Sequence, residues 1–166
     1  MTFTTRRKLA NITLFMLTLT SLILLGGGNY ETLNITRVIA SDPPRSLAML
    51  QGPYRFFPVP FWALFHPLSI LFLILSLIFN WNISLYRRKL LLIVAGAMLL
   101  LTLATQLYFA PETGVIANAP YSDTVDEVLK SRAQRWVNLN YIRLAVDYGI
   151  AVILLLAVNR NIVSPE

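Results

Sequence analysis

Four long runs of apolar residues dominate the chain, and shorter polar segments separate them. The runs cover residues 9–27, 61–81, 90–109 and 139–158. Each is close to the roughly 20 residues that an α-helix needs to cross about 30 Å of hydrocarbon. The pattern therefore predicts one integral membrane domain over residues 1–166, an all-α bundle of four transmembrane helices.

The two longer polar segments, the outer loops 28–60 and 110–138, have patterns of their own. Glycines 26–28 are expected to end the first helix, because glycine favours helix termination. Residues 32–39 alternate apolar and polar side chains and are rich in β-branched types, which predicts a strand in the first outer loop. Residues 122–137 carry apolar side chains at helical spacing, which predicts a surface helix before helix four, capped by Ser122 or Asp123.

The charged residues divide unequally between the two sides of the predicted helices. If both termini are cytoplasmic, the inner segments hold one acidic residue, Glu166, against seven basic ones: Arg6, Arg7, Lys8, Arg87, Arg88, Lys89 and Arg160. The outer segments hold equal numbers of basic and acidic residues, so the whole formal charge of +6 lies on the inner side. This is the distribution that the positive-inside rule expects.

Composition narrows the class of protein further. With 56% hydrophobic and 13% charged residues, the chain differs from ordinary soluble domains, and the lipid bilayer is its expected partner. The basic residues flank helices instead of forming a patch with interleaved aromatic residues, so no nucleic-acid partner is expected. The absence of cysteine and the single histidine argue against a usual zinc site, bis-histidine haem ligation within the chain or disulfides, and no cofactor is predicted.

Polar side chains within the apolar runs gather toward the outer ends of the predicted helices. An ionisable side chain costs about 2.5–3.5 kcal/mol at the bilayer centre on insertion scales, so each one calls for a reason. At about 1.5 Å per residue, His66 and Asp147 fall at a similar depth, and we consider them a candidate catalytic pair. The candidate ligand-binding residues near them are Glu31, Gln106, Trp136, Asn140 and Arg143.

Three interpretations of these polar residues are open. In a functional interpretation, an outward-facing pocket uses His66 and Asp147 for proton transfer while Arg143 holds an acidic ligand. In a structural interpretation, Arg143 and Asp147 pair at i, i+4, and His66 donates to the backbone carbonyl that Pro67 leaves without a partner. A proton-coupled transporter would also need a polar path through the inner half, which is almost purely apolar apart from Asn11, Thr13, Ser76 and Asn80.

Three short motifs carry a resemblance that spans nearly the whole chain: Asn29-Tyr30-Glu31, Tyr108-Phe109-x-Pro111 and Trp136-x-x-x-Asn140-x-x-Arg143. They resemble the anthrone-oxygenase-like family of small bacterial four-helix membrane proteins, a domain of unknown function. The resemblance implies a bacterial inner membrane. Through the named members of the family it also implies oxidation of anthrones to anthraquinones by oxygen, without metal or flavin, for which His66 would be the base.

Two hypotheses of different class follow. The first is a non-enzymatic membrane protein whose outer polar cluster binds a lipid-like or apolar acidic ligand, a partner membrane protein or a second copy of the chain. The alternative is a cofactor-free oxygenase or isomerase that acts on an aromatic or quinone-like substrate, with His66 as the base.

Overall fold

Four long helices make up most of the protein. The computed structural model describes residues 2–159, and within them it contains no β-strand. The long helices are α1 (Phe3–Ile39), α2 (Val59–Asn80), α3 (Leu85–Ala117) and α4 (Glu127–Asn159). All four are long and apolar enough to span a membrane, which confirms the predicted all-α, four-helix integral membrane protein. Arg160 and Glu166, which enter the charge count above, lie outside the described residues.

Three of the helices continue well beyond the predicted apolar runs. Helix α1 has 37 residues, and α3 and α4 have 33 each, whereas about 20 residues suffice to cross the hydrocarbon. Helices α1 and α3 are not regular throughout, because each contains a five-residue π-helical segment, at Glu31–Ile35 and Thr105–Phe109. A separate 3₁₀ helix spans Arg45–Leu50.

The prediction that glycines 26–28 end the first helix is wrong. Helix α1 passes through them because, in an apolar environment, the helix satisfies backbone groups that water cannot reach. A glycine helix cap needs a positive φ, and among the described residues only Gly52 has one, at 79°. Helix α1 instead ends at Ile39, just before Pro43 and Pro44, and the Ser46 hydroxyl donates to the Ile39 carbonyl at 2.8 Å.

The predicted strand at residues 32–39 is also wrong, since this segment is helical. Its buried side chains are Thr32, Ile35, Thr36 and Ile39, which follow the spacing i, i+3, i+4, i+7 of one helix face. Residues 32–36 also alternate between polar and apolar types, so this part of the segment fits both periods. Burial against the rest of the loop region decides in favour of the helix.

The predicted surface helix is the first part of α4 and begins at Glu127 instead of residue 122. Asp126 caps it, because its Oδ1 accepts from the backbone amides of Val128 at 2.9 Å and Leu129 at 3.0 Å. Asp123, one of the two residues expected to cap the helix, accepts from the Tyr121 hydroxyl at 2.8 Å. This hydrogen bond raises the pKa of Tyr121 above its ordinary value.

The chain divides into two compact units, each with its own core. The first unit comprises Met1–Leu25, Phe61–Leu99 and Val146–Glu166 and contains a portion of every long helix. Its fully buried apolar side chains include Leu14, Leu17, Leu91, Val94 and Leu154. Many other leucine and isoleucine side chains of these helices point outward, as expected for helices that face lipid.

The second unit comprises Gly26–Pro60 and Leu100–Ala145. Its core is a cluster of buried side chains from α1, α3, α4 and the first loop, namely Ile35, Ile39, Ala40, Leu47, Phe109, Ile116, Ala133, Trp136 and Val137. Polar contacts fix the first loop over this core. The Asp126 amide donates to the Pro43 carbonyl at 3.0 Å, and the Gln51 side chain donates to the carbonyls of Ala117 and Ala119.

Candidate functional site

The candidate site lies in the second unit, where the π segments interrupt α1 and α3. Single π turns inside α-helices are rare and are frequent at functional sites, because one extra residue re-aims the neighbouring side chains. Glu31, a predicted ligand-binding residue, begins the first π segment, and Gln106, another, lies in the second. Two residues chosen for their polarity alone therefore fall where the helices are irregular.

Side chains of the helix itself support the first π segment. The Thr36 amide bonds to the Glu31 carbonyl, five residues earlier, which is the π pattern. The Thr32 carbonyl, which the Thr36 amide would meet in an α-helix, accepts from the Thr36 hydroxyl at 2.8 Å. The Tyr30 carbonyl likewise accepts from the Asn34 side chain at 3.0 Å. The irregular turn is thus a hydrogen-bonded structure built from Thr and Asn side chains.

Arg143 is held by an aromatic ring. Its guanidinium carbon lies 5.5 Å from the centroid of the Phe109 ring, within the range of a cation–π interaction. The salt bridges Asp42–Arg45, Asp42–Lys130 and Glu112–Arg132 of the second unit do not involve Arg143. The predicted pairing of Arg143 with Asp147 stays a prediction, and within the second unit the guanidinium faces an aromatic ring.

Two further hydrogen-bond donors in this unit have no protein partner within the described chain. The Trp136 side chain is only 7% exposed, and its indole N–H reaches no acceptor. The buried Tyr108 hydroxyl also has no partner, while its ring packs against the cluster that contains Phe109 and Trp136. A buried donor left without an acceptor costs about 1–3 kcal/mol. We call Tyr108, Trp136 and Arg143 the donor cluster.

A small apolar cleft borders the donor cluster. Its cavity volume is about 10 Å³, and it is lined by Ile39, Leu50, Thr113, Ile116, Ala117 and Trp136. Helices α1, α3 and α4 and the 3₁₀ helix each contribute at least one of these residues. Sites for whole drug-sized ligands usually have about 300–1,000 Å³, so this cleft holds only a group of about the size of a water molecule.

The remaining predicted residues of this unit occupy different environments. The Asn140 side chain donates to the Trp136 carbonyl at 3.0 Å, one turn earlier in α4, and so takes part in the helix that carries the donor cluster. Glu31 is half-buried, whereas Gln106 is exposed. Trp136, Asn140 and Arg143 are therefore gathered around one helix face, and Gln106 lies at the surface.

The predicted catalytic residues His66 and Asp147 belong to the first unit, and both are half-buried. The His66 Nδ1 lies 3.1 Å from the Trp62 carbonyl, four residues earlier in α2. Because a carbonyl oxygen only accepts, this contact requires Nδ1 to carry the proton and leaves Nε2 as the basic nitrogen of neutral His66. The carbonyl that Pro67 leaves without its amide is that of Ala63, so the contact differs from the predicted one.

A buried polar group in the first unit was missed by the sequence pattern. The Arg87 side chain, counted above only as an inner charge, is 4% exposed, and its Nη1 donates to the Asn11 Oδ1 at 2.7 Å. Its Nη2 lies 3.5 Å from the Val158 carbonyl. Asn80 is fully buried and donates to the Ala10 carbonyl at 3.3 Å. Asn11 and Asn80 are among the polar residues expected in this half, and Arg87 adds a buried charge to them.

No three His, Asp or Glu side chains come together as metal ligands in the part of the chain that the structure describes. The chemistry of the candidate site is instead that of hydrogen-bond donors and one cation beside an apolar cleft. Comparison with family models, curated proteins and solved structures finds no match to this chain.

Proposed function

We propose that this integral membrane protein binds an apolar ligand that carries an acidic or carbonyl oxygen, and that the donor cluster receives that oxygen. The observation that carries the proposal is the pair of buried donors, the Trp136 N–H and the Tyr108 O–H, beside the guanidinium of Arg143. All three groups serve as donors toward a negatively charged or electron-rich oxygen. A ligand amine or a metal cation would be repelled by the charge of Arg143, and the indole N–H of Trp136 has no lone pair with which to bind it.

The outward-facing apolar side chains of the helices support a lipid-like ligand, because the apolar part of such a molecule extends along them. The cleft, of about 10 Å³, has room beside Trp136 for only a single small group of the ligand. A fatty acid has this division between a small anionic head and a long apolar tail. The charge-assisted bond to Arg143 would supply most of the preference for the head.

The test uses oleate, methyl oleate and oleylamine as probes of equal chain length, with affinities measured by titration of the purified protein in detergent. We expect oleate to bind most tightly and oleylamine most weakly. Arg143→Gln should weaken oleate by about tenfold, close to the 1.4 kcal/mol expected for losing one charged hydrogen bond. The same substitution should change the affinity for methyl oleate much less.

Tyr108→Phe removes one hydroxyl and keeps the ring, so it isolates the donor function. The matched control is Tyr54→Phe, because Tyr54 is fully exposed in the second unit. Only the Tyr108 substitution should weaken oleate. Equal affinities for oleate and oleylamine, or an Arg143→Gln variant that binds oleate like the parent protein, would overturn the proposal.

A second candidate function, cofactor-free oxidation of an anthrone-type substrate, is favoured by the geometry of His66. Its bond to the Trp62 carbonyl fixes the tautomer in which Nε2 is able to accept a proton. Removal of the acidic C–H proton of an anthrone gives a carbanion that reacts with O₂, and the balanced products are an anthraquinone and water. This candidate rests on the resemblance to the anthrone-oxygenase-like family as well as on the ring geometry.

The discriminating experiment measures oxygen uptake and quinone absorbance when an anthrone is added to the protein in lipid. His66→Gln should abolish turnover while leaving oleate binding by the donor cluster intact. Arg143→Gln should weaken oleate without removing the base. Unchanged turnover in His66→Gln would exclude the role of His66 and leave the binding function standing.

We also propose a bacterial inner membrane with both termini in the cytoplasm, supported by the distribution of charge and by the family resemblance. A partner membrane protein or a second copy of the chain is the alternative occupant of the donor cluster. Native mass spectrometry of protein extracted with its lipids separates these possibilities, because a lipid-like ligand and a protein subunit differ widely in mass.

A further inference from the structure

The first unit carries a concentrated group of basic residues at the start of two helices. The first two turns of α1 and of α3 each contribute three of them, and we call the six the basic cluster: Arg6, Arg7, Lys8, Arg87, Arg88 and Lys89. The 2.7 Å bond between Arg87 and Asn11 joins the two helices at this level. Arg7 and Arg87 are close enough for their like charges to repel each other.

The described chain offers little negative charge to this cluster. Asp147 is the one acidic residue in the described part of the first unit, and it lies 12 residues before Asn159, about 18 Å along the helix axis. Neither α1 nor α3 has an acidic residue in its first turn, where the helix dipole would favour one.

Aromatic side chains mark the level of the basic cluster relative to lipid head groups. Trp81 and Tyr86, in and beside the turn between α2 and α3, are both more than two-fifths exposed. Such residues are enriched where hydrocarbon meets the head groups. The Arg88 guanidinium lies 5.2 Å from the Trp81 ring centroid and donates to the Trp81 carbonyl at 3.3 Å, so it is held beside this aromatic residue.

Two members of the basic cluster are occupied by contacts within the protein. The Arg6 guanidinium donates to the carbonyls of Ile78 and Phe79 at 3.3 and 3.4 Å, which satisfies the last turn of α2, and Arg87 is buried. Lys8 and Lys89 are exposed and Arg88 is half-exposed, so these three are available to an external anion. At the depth of the head groups, the abundant anion is a phospholipid phosphate.

We propose that the basic cluster binds the phosphate head group of an anionic phospholipid, with Lys8, Arg88 and Lys89 in direct contact. Basic residues beside transmembrane helices attract anionic lipid, each by roughly a factor of five, and the three contacts act on one head group. This binding is independent of the ligand proposed for the donor cluster. This binding is also distinct from the positive-inside effect, which keeps basic residues on one side of the membrane without binding any particular lipid, because it requires a bound lipid in slow exchange.

The test counts the lipids that the full-length protein retains in native mass spectra after exchange into micelles of detergent with phosphatidylglycerol or phosphatidylcholine. The parent protein should retain phosphatidylglycerol in preference, and 0.5 M NaCl, a concentration chosen to screen the contacts, should reduce the retention. The triple variant Lys8→Gln, Arg88→Gln, Lys89→Gln should bind phosphatidylglycerol at least tenfold more weakly.

The matched control is the triple variant Arg37→Gln, Arg55→Gln, Arg135→Gln. It removes the same charge from exposed side chains of the second unit. Retention of phosphatidylglycerol by this control at the parental level supports the proposal. Equal losses in both triple variants, or equal retention of the two lipids by the parent protein, overturn it, because either result reduces the effect to net charge or to nonspecific solvation.

Discussion

Arg87 places a guanidinium between helices of the first unit, with its charge directed at the Asn11 side chain and the Val158 carbonyl. Removing a guanidinium from water is costly, so its hydrogen bonds must offset the loss of hydration. The neighbours Arg88 and Lys89 keep their charges nearer the surface. Of three adjacent basic residues, Arg87 is therefore buried, whereas Arg88 and Lys89 lie at or near the surface.

We expect Arg87→Gln to lower the free energy of unfolding by about 2–3 kcal/mol, because hydrogen bonds to a charged group contribute about 1.5–3 kcal/mol and the shorter amide cannot reach both partners. Denaturant or thermal unfolding in detergent measures the change. Arg88→Gln is the control and should cost less than about 1 kcal/mol, since its contacts lie at the surface. Equal costs would show that the Arg87 contacts contribute nothing specific.

Individual residues were predicted unevenly from the sequence. Arg143 was chosen because it is an ionisable residue in a membrane span, and Trp136 because it begins the motif that leads into helix four; their role in binding stays a prediction. The orientation of Arg87 was not predicted, because three successive basic residues show no periodicity that distinguishes the inward side chain. Helical spacing suggested Asp147 as a partner of Arg143, and it could not have predicted the Phe109 ring, which comes from another helix.

At the scale of elements, the two π segments are the main departure from regular structure. A π turn accommodates one extra residue in a helix without changing the phase of the α-helical portions on either side. The segment Thr105–Phe109 contains Tyr108 and Phe109, which belong to the site. The irregular turn therefore sets the direction in which these rings point.

Deletion of Leu107, whose side chain is 78% exposed, should convert the segment to regular α-helix and leave the flanking portions of α3 in phase. We expect oleate binding to be lost while the protein still folds. Deletion of Leu92, exposed but within a regular portion of α3, should instead rotate the neighbouring buried residues by about 100° and impair folding. Circular dichroism and oleate titration compare the two deletions, and retained oleate binding without Leu107 would contradict the role of the π turn.

The start of α4 gives a second prediction for an element. Asp126→Ala should cost about 1 kcal/mol, because two backbone amides of the first turn lose their acceptor. Asp123→Ala removes the same charge from a residue that accepts only from Tyr121 and should cost much less. If thermal unfolding gives equal shifts for the two variants, Asp126 does not act as the cap.

The errors at the level of elements have physical causes. Residues 32–36 satisfy both a period of two and a helical period, so the pattern alone cannot separate strand from helix. Glycine ends helices chiefly where water competes for the backbone, and glycines 26–28 occur within a continuous helix instead. The helices themselves were predicted well, because a run of about 20 apolar residues has few other stable states.

At the scale of the whole molecule, helix α3 joins the turn 81–84 to the loop 118–126. If all four long helices span the membrane, these two segments lie on opposite sides of it. The chain contains no cysteine, so single introduced thiols report on one position at a time. We expect Asn82→Cys and Ser122→Cys to be labelled by a membrane-impermeant maleimide from opposite sides of sealed vesicles. Labelling of both from the same side would contradict the four-span arrangement.

The first loop is tied to the start of α4 through main-chain atoms, the Asp126 N–H and the Pro43 carbonyl. Substituting a side chain leaves those main-chain atoms in place. Dissolved salt weakens the nearby exposed ion pair between Asp42 and Lys130 far more than it weakens this peptide hydrogen bond. Substitutions at this corner are thus able to change its side-chain chemistry while the path of the backbone is retained. Proline at position 126 is the exception, since it alone deletes the donor.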